Sequence, residues 1–334
     1  MKIYYYPTDT PPNRDFVKNP YSDLFKKNIS KYYNVVNENS KAEISILDLL
    51  KNVFKVECVI FNWIENLHTR KFGSLQFMLF LFILLIMKIR RIRILWILHN
   101  FHPHKGEHKI SNIIKNLMFR NSHLIATHSK AAELYAQERT NNKVVFYNHP
   151  INPALLAYNT NHNSFSNKSY DILIWGSIEP YKGILEFLQF VNHNNIKWKI
   201  KITGRCKSKS YENQIQKFMT NDISFDNIAV PFENLSTLIK SSKFVLFPYK
   251  SKSVSSSGAL MDTIALFGNI IGPNTGAFKE LEENNICKTF NSYEDIEHIV
   301  NSNKQNNINA CKDFIKENSW SSFAKKIKLE INKL

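Results

Sequence analysis

The chain has 334 residues, and its 44 Lys and Arg against 28 Asp and Glu give a formal net charge of +16. That length exceeds what one hydrophobic core usually organises, which argues against a single domain and for two. The charge calls for an anionic partner, whether a membrane surface, a nucleic acid or another polyanion. Four cysteines without paired spacing (Cys58, Cys206, Cys287 and Cys311) argue against a disulfide framework and for a reducing cytoplasm.

In chain order, residues 1–7 lead straight into a strand expected at 2–6, so no signal peptide is expected. A Pro-rich loop at 8–14, TDTPPNR, follows it. Asn19 and Pro20 start a helix over 21–32, and a second helix covers 44–54. Strands are expected at 58–63, 92–98, 123–127 and 144–147, with helices between them, so this half reads as a parallel sheet covered on both faces. Between the second and third strands lies LQFMLFLFILLIM, residues 75–87, with Arg70 and Lys71 before it and Lys88, Arg90, Arg91 and Arg93 after it. It is too short to span a bilayer, which needs about 20 residues. It reads either as a core helix or as a helix dipping into lipid headgroups on an anionic membrane, and both readings can hold at once.

Ligands gather at the carboxyl ends of parallel strands, and two strands here end in polar clusters. VIFNWIE puts Asn62, Trp63 and Glu65 at the end of one, and LWILHNFHPHKGE puts His99, Asn100, His102, His104 and Glu107 at the end of the next. With His108, these histidines suggest a metal, but alternation places their side chains on different faces of a loop. Any one of them can instead be a satisfied structural histidine at a strand end.

A segment over 148–168, rich in Asn, Pro and Ser, separates the halves. The second half opens with YDILIWGSIEPYKG, a buried strand ending at Gly176, then a turn with Glu179, Pro180 and Lys182 before an amphipathic helix at 184–191. A strand over 198–203 ends at Gly204 and Arg205. Further on, SVSSSGALMDTIALFGNIIGPNTGAFKEL places Ser residues and Gly258 at the start of an apolar helix, then a short strand at 269–272 and a second glycine turn. Small residues let the backbone approach a ligand, and the free N–H groups of the first helical turn suit a phosphate. An ordinary capped surface helix would look the same. The last stretch, 308–334, reads as two helices broken near Asn318 and Ser319.

The turn 176–183 and the segment 255–280 together resemble the C-terminal half of nucleotide-sugar-dependent glycosyltransferases of the GT-B fold, family 4 type, and the resemblance extends weakly over nearly the whole chain. Counting back from Gly268, the positions of that family's Glu-x7-Glu motif hold Ser255 and Thr263, with Asp262 one residue away. The arginine after the first glycine is Ser177, while the loop lysine is kept as Lys182. Variant members of the family carry a Ser-Ser-Gly-Ala type sequence in place of the glutamates.

The resemblance implies an α/β fold of two Rossmann-like parallel-sheet domains facing a central cleft. Residues 1–155 would bind the acceptor and 165–310 the donor, with C-terminal helices at 311–334 packing back on the first domain. It implies transfer of a hexose from a nucleotide diphosphate sugar, of UDP or GDP type, to a lipid-linked or oligosaccharide acceptor in bacterial surface polysaccharide synthesis. Gly176, Ser177, Lys182, Arg205, Ser255, Ser256, Ser257, Gly258 and Asp262 would hold the donor, with Arg205 equally readable as a solvated loop residue. His99 would stand beside the reacting sugar, Glu65 and Glu107 would be candidate bases, and Asn62, Asn100 and His104 would line the acceptor side. No metal and no cofactor are implied. The Lys, Asn and Ile usage suits an AT-rich bacterial genome, and the expected place is peripheral, on the inner face of the cell membrane. Two alternatives stand beside this reading. One is a degenerate GT-B nucleotide-binding protein without transfer activity. The other is a basic nucleic-acid-binding protein, against which count the lack of zinc spacing, of an RNA-recognition signature and of a basic helix with interleaved aromatics.

Overall fold

The computed structural model describes residues 1–8, 20–99, 108–159, 168–250, 257–302 and 305–334. The chain divides into two compact units, Met1–Asn148 with Trp320–Leu334, and His149–Ser319.

Unit 1 is built on six parallel strands: β1 (Lys2–Tyr6), β2 (Asn34–Val35), β3 (Cys58–Asn62), β4 (Arg93–Leu98), β5 (Leu124–Thr127) and β6 (Lys143–Phe146). Their spatial order is β2-β1-β3-β4-β5-β6, so the chain leaves β1 to one side and returns on the other, which opens a crevice at the carboxyl ends of β1 and β3. The central strands are apolar at nearly every position because both faces are covered. On one face Tyr4, Tyr6, Val59, Phe61, Trp96 and Leu98 pack against α2 (Ser45–Asn52), α3 (Gly73–Ile89), α4 (Lys109–Asn121) and α5 (Lys130–Gln137). On the other, Ile3, Tyr5, Ile60, Leu95 and Ile97 pack against Tyr21, Phe25 and Ile29 of α1 (Tyr21–Ile29). The two-residue β2, hydrogen-bonded in register with Lys2 and Ile3, is too short to show a period in the sequence.

Unit 2 repeats the plan with β7 (Tyr170–Trp175), β8 (Ile200–Thr203), β9 (Ile223–Asp226), β10 (Ser242–Leu246), β11 (Ile270–Pro273) and β12 (Cys287–Phe290), all parallel in the order β12-β11-β10-β7-β8-β9. Its switch point lies between β7 and β10. Ile172, Ile174, Ile202 and Leu246 face α6 (Ile184–His193), α7 (Lys209–Gln216) and α11 (Tyr293–Ser302). Leu173, Val245 and Ile270 face α8 (Phe232–Lys240), α9 (Gly258–Ala265), α10 (Gly276–Glu283) and α12 (Ile308–Glu317).

The end of the chain differs from expectation. Only α13 (Trp320–Ile331) belongs to unit 1, where Trp320, Phe323 and Ile327 close the face that carries Ile3 and Tyr5. The helix before it stays in unit 2, because Cys311 and Phe314 are buried beside Leu260 and Ile264 of α9. The division also falls after Asn148 rather than at 155, since Leu155, in a short 3-10 turn (Pro153–Tyr158), is buried in the same unit 2 core.

Candidate functional site

In unit 2 the candidates gather where β7 and β10 diverge. Gly176 follows β7 with φ +104°, and Gly204 follows β8 with φ +146°. A Cβ on Gly204 would lie 1.6 Å from the Gly176 carbonyl oxygen, so the two turns stack backbone on backbone, and a side chain is excluded there. Past Gly176 the chain makes a 3-10 turn (Pro180–Lys182) and then Gly183 at φ +69°, where a Cβ would strike the Pro248 carbonyl at 2.1 Å. The Lys250 amide donates to the Tyr181 carbonyl at 3.3 Å, which ties this turn to the segment after β10.

This arrangement fixes Lys182. Its side chain is 5% exposed, and its ammonium sits 5.5 Å from the centre of the Tyr249 ring and 3.3 Å from where a Gly176 side chain would begin. No hydrogen bond or ion pair holds it among the described residues. Burial lowers its pKa to about 8, and the nearby Glu179 charge only partly opposes this. A buried cation that Glu179 compensates only in part is costly, and an anion beside it would lower that cost.

Helix α9 starts on the same side. Ser257 occupies its N-cap position but does not cap it; the Ser257 hydroxyl instead meets the Tyr249 hydroxyl at 3.3 Å. The first-turn N–H groups are thereby left for another acceptor. Gly258 has open space where a side chain would be, and Ala259 packs 3.6 Å from the same point at Gly176. Thr263 is fully buried and spent on structure: its hydroxyl accepts from the Trp175 indole at 2.9 Å and donates to the Ala259 carbonyl at 2.7 Å. Asp262 lies one turn beyond Gly258 on the same helical face. Its carboxyl is pushed up to about 7 by desolvation and has no partner among the described residues. Ser177 and Arg205 are exposed, and the Arg205 carbonyl accepts from the Ile178 amide at 2.9 Å. Ser255 and Ser256 lie outside the described residues.

In unit 1 a second cluster forms at the carboxyl ends of β3, β4 and β5. His99 stacks on Trp63 with ring centres 4.7 Å apart, meets Tyr21 edge-on at 4.7 Å and lies 5.0 Å from His128. His128 Nε2 bonds the Tyr21 hydroxyl at 2.7 Å, and its Nδ1 is 2.9 Å from the Tyr147 carbonyl oxygen. Asn62 is fully buried and donates to the Tyr5 hydroxyl at 2.7 Å. His128, Tyr21 and Tyr5 escaped the sequence reading. The available signal was IATHS, a strand ending in His as WILHN does; Leu98 pairs with Thr127 in register, so the next residues, His99 and His128, leave the sheet side by side.

Glu65 does not join this cluster. Trp63 adopts a left-handed backbone, φ +53°, which breaks the strand alternation, and Glu65 lies in the following 3-10 turn (Ile64–Thr69). Its carboxyl is 3% exposed, with neither oxygen hydrogen-bonded, on the sheet face of Tyr6 and Trp96. Burial raises its pKa to about 7, partly offset by the Lys115 charge. The carboxyl is thus enclosed with the side chains of that face, in the turn that follows β3. Asn100, His102, His104 and Glu107, and most of the 8–14 loop, lie outside the described residues. Among the described residues no cluster of three or more His, Cys, Asp or Glu is placed to hold a metal ion.

No family model and no curated protein sequence matches the chain. Solved structures do. HepE of Anabaena, crystallised with UDP and glucose, superposes with a TM-score of 0.66 at 11% identity over the whole of both chains. A glycosyltransferase from Rickettsia africae gives 0.64 at 14% identity, covering 99% of this chain and 97% of its own. AviGT4, a glycosyltransferase involved in avilamycin A biosynthesis, gives 0.61 at 10% identity, covering 100% and 98%. At such identities the likeness is one of fold, and the α/β architecture of two six-stranded parallel sheets is that of GT-B glycosyltransferase structures.

Proposed function

We propose that the protein is a glycosyltransferase whose unit 2 binds the diphosphate of a UDP- or GDP-linked hexose. The observation that carries the reading is Lys182, a cation 5% exposed that forms no ion pair among the described residues, beside the open start of α9. When a glycosyl bond to a nucleotide diphosphate breaks, negative charge grows on the leaving phosphate. Lys182, the first-turn N–H groups around Ser257 and Gly258, and Arg205 at the neighbouring turn would neutralise it. Gly176 would let the phosphate approach the backbone, and Asp262 would receive ribose hydroxyls in place of the Thr263 hydroxyl, which is already committed. Unit 1 would bind the acceptor, which we read as a lipid-linked or oligosaccharide chain of a bacterial surface polysaccharide. That HepE was crystallised with UDP and glucose supports the donor class.

The test is calorimetric titration of the protein with UDP and with GDP, followed by release of nucleotide from the matching sugar donor. Binding of one nucleotide with donor turnover is expected. Binding without turnover would favour a degenerate, non-transferring protein, a reading to which the committed Thr263 hydroxyl lends weight. No binding of either nucleotide would remove the proposal.

A further inference from the structure

Helix α3 has two apolar faces. Phe80, Ile83, Leu84 and Met87 are buried in the unit 1 core. Leu75, Met78, Phe82, Leu85 and Ile89, spaced by threes and fours, line the opposite face and are 67, 67, 54, 55 and 73% exposed. Phe72, 62% exposed, extends this stripe at one end, and Phe54, 59% exposed, stands beyond the other. An apolar surface of that extent marks an interaction site.

The charges around it are of one sign. Arg70 and Lys71 precede the helix and Lys88, Arg90 and Arg91 end it, while residues 66–93 contain no Asp or Glu. The Lys71 ammonium lies 5.3 Å from the Phe72 ring centre and the Arg90 guanidinium 5.5 Å from that of Phe54, so cations bracket the stripe at both ends. Among the described residues no helix is long and apolar enough to cross a membrane. Seventeen residues make a rod about 25 Å long, which suits a helix lying in the plane of a surface.

We infer that this face docks on an anionic lipid bilayer, with Leu75, Met78, Phe82, Leu85 and Ile89 among the acyl chains and the flanking Lys and Arg on headgroup phosphates. The charge pattern selects this occupant over a second copy of the chain. Two copies meeting through α3, parallel or antiparallel, would bring basic ends together with no carboxylate in 66–93 to pair with them. Anionic headgroups supply that counter-charge. The inference rests on unit 1 alone and does not depend on the reading of the donor site.

Co-sedimentation of the full chain with vesicles tests it, comparing phosphatidylcholine alone with equal parts phosphatidylcholine and phosphatidylglycerol. Strong, salt-sensitive binding to the mixed vesicles and weak binding to the neutral ones is expected. Leu75→Ser with Leu85→Ser should weaken it by about tenfold per leucine, and Lys88→Gln with Arg91→Gln by about fivefold per charge. Because all four positions are exposed, thermal unfolding of the variants should match the parent and certify their fold. Indifference to vesicles, equal binding to neutral and anionic ones, or undiminished binding by the leucine variant would overturn the inference. So would a lipid-free dimer that the leucine variant converts to monomer, since the face would then belong to a second copy.

Discussion

Replacing Lys182 by Met keeps the length and the apolar stem of the side chain and removes only the ammonium. Lys182 is 5% exposed and its pKa is lowered from 10.5 to about 8, so keeping it charged at pH 7 costs the fold about 3 kcal/mol. The variant gives up the cation over the Tyr249 ring, worth about 1 kcal/mol, so a net stabilisation of about 2 kcal/mol at pH 7 is expected. Between about pH 8 and 10.5 the unfolded chain binds the proton that the folded one has released, so the parent gains stability as pH rises through that window. The penalty is fully present below it, and the advantage of Lys182→Met should shrink above pH 8. The same variant should bind UDP or GDP about a hundredfold more weakly, the loss of one charge-stabilising contact. Urea unfolding at pH 7 and about pH 9.5, with calorimetry of nucleotide binding, reads both effects. A variant less stable than the parent at pH 7, or one that binds nucleotide equally well, would show that this ammonium is not an uncompensated charge awaiting an anion.

Three further substitutions probe the framework. Gly204→Ala sets a Cβ 1.6 Å from the Gly176 carbonyl oxygen at φ +146°, and should cost more than about 3 kcal/mol in urea unfolding; a parental midpoint would contradict the stacked turns. Because the Glu65 carboxyl is raised from 4.5 to about 7, the parent should lose stability as pH rises across that interval and Glu65→Gln should not. The gap should reach about 3 kcal/mol in favour of Gln above pH 7, and thermal midpoints with a pH-independent gap would refute the burial argument. Tyr21→Phe removes the 2.7 Å bond to His128 inside a buried aromatic cluster and should cost about 1–2 kcal/mol by denaturant unfolding; an unchanged midpoint would deny that bond a structural role.

What the sequence disclosed and what it hid follow from the range of the interactions. Gly176, Lys182, Gly204 and Gly258 were legible because strand, turn and helix start are local patterns, and a parallel strand buried on both faces reads as an apolar run. The pairing of His99 with His128 was not, because it depends on the register of β4 with β5. The burial of Glu65 was hidden because the positive φ of Trp63 breaks the two-residue alternation just where the strand ends. The role of Thr263 was hidden for a related reason. Its partner is Trp175, 88 residues away, and no local pattern joins them. For α3, composition left two readings open, and the angular separation of its two apolar faces shows how one helix serves the core and still exposes a stripe.

The return of Trp320–Leu334 to unit 1 has a consequence for how the protein is made. The polypeptide emerges from the ribosome in order, so Ile3, Tyr5 and Phe25 are synthesised long before Trp320, Phe323 and Ile327, which cover them. His149–Ser319 is contiguous and can condense as soon as it is extruded, whereas unit 1 waits for its last helix. The unit begun first is therefore finished last. A nascent chain that lacks α13 has only α1 over that apolar sheet face, which makes it a natural target for chaperones, and ribosome stalling before Trp320 would strand it in that state.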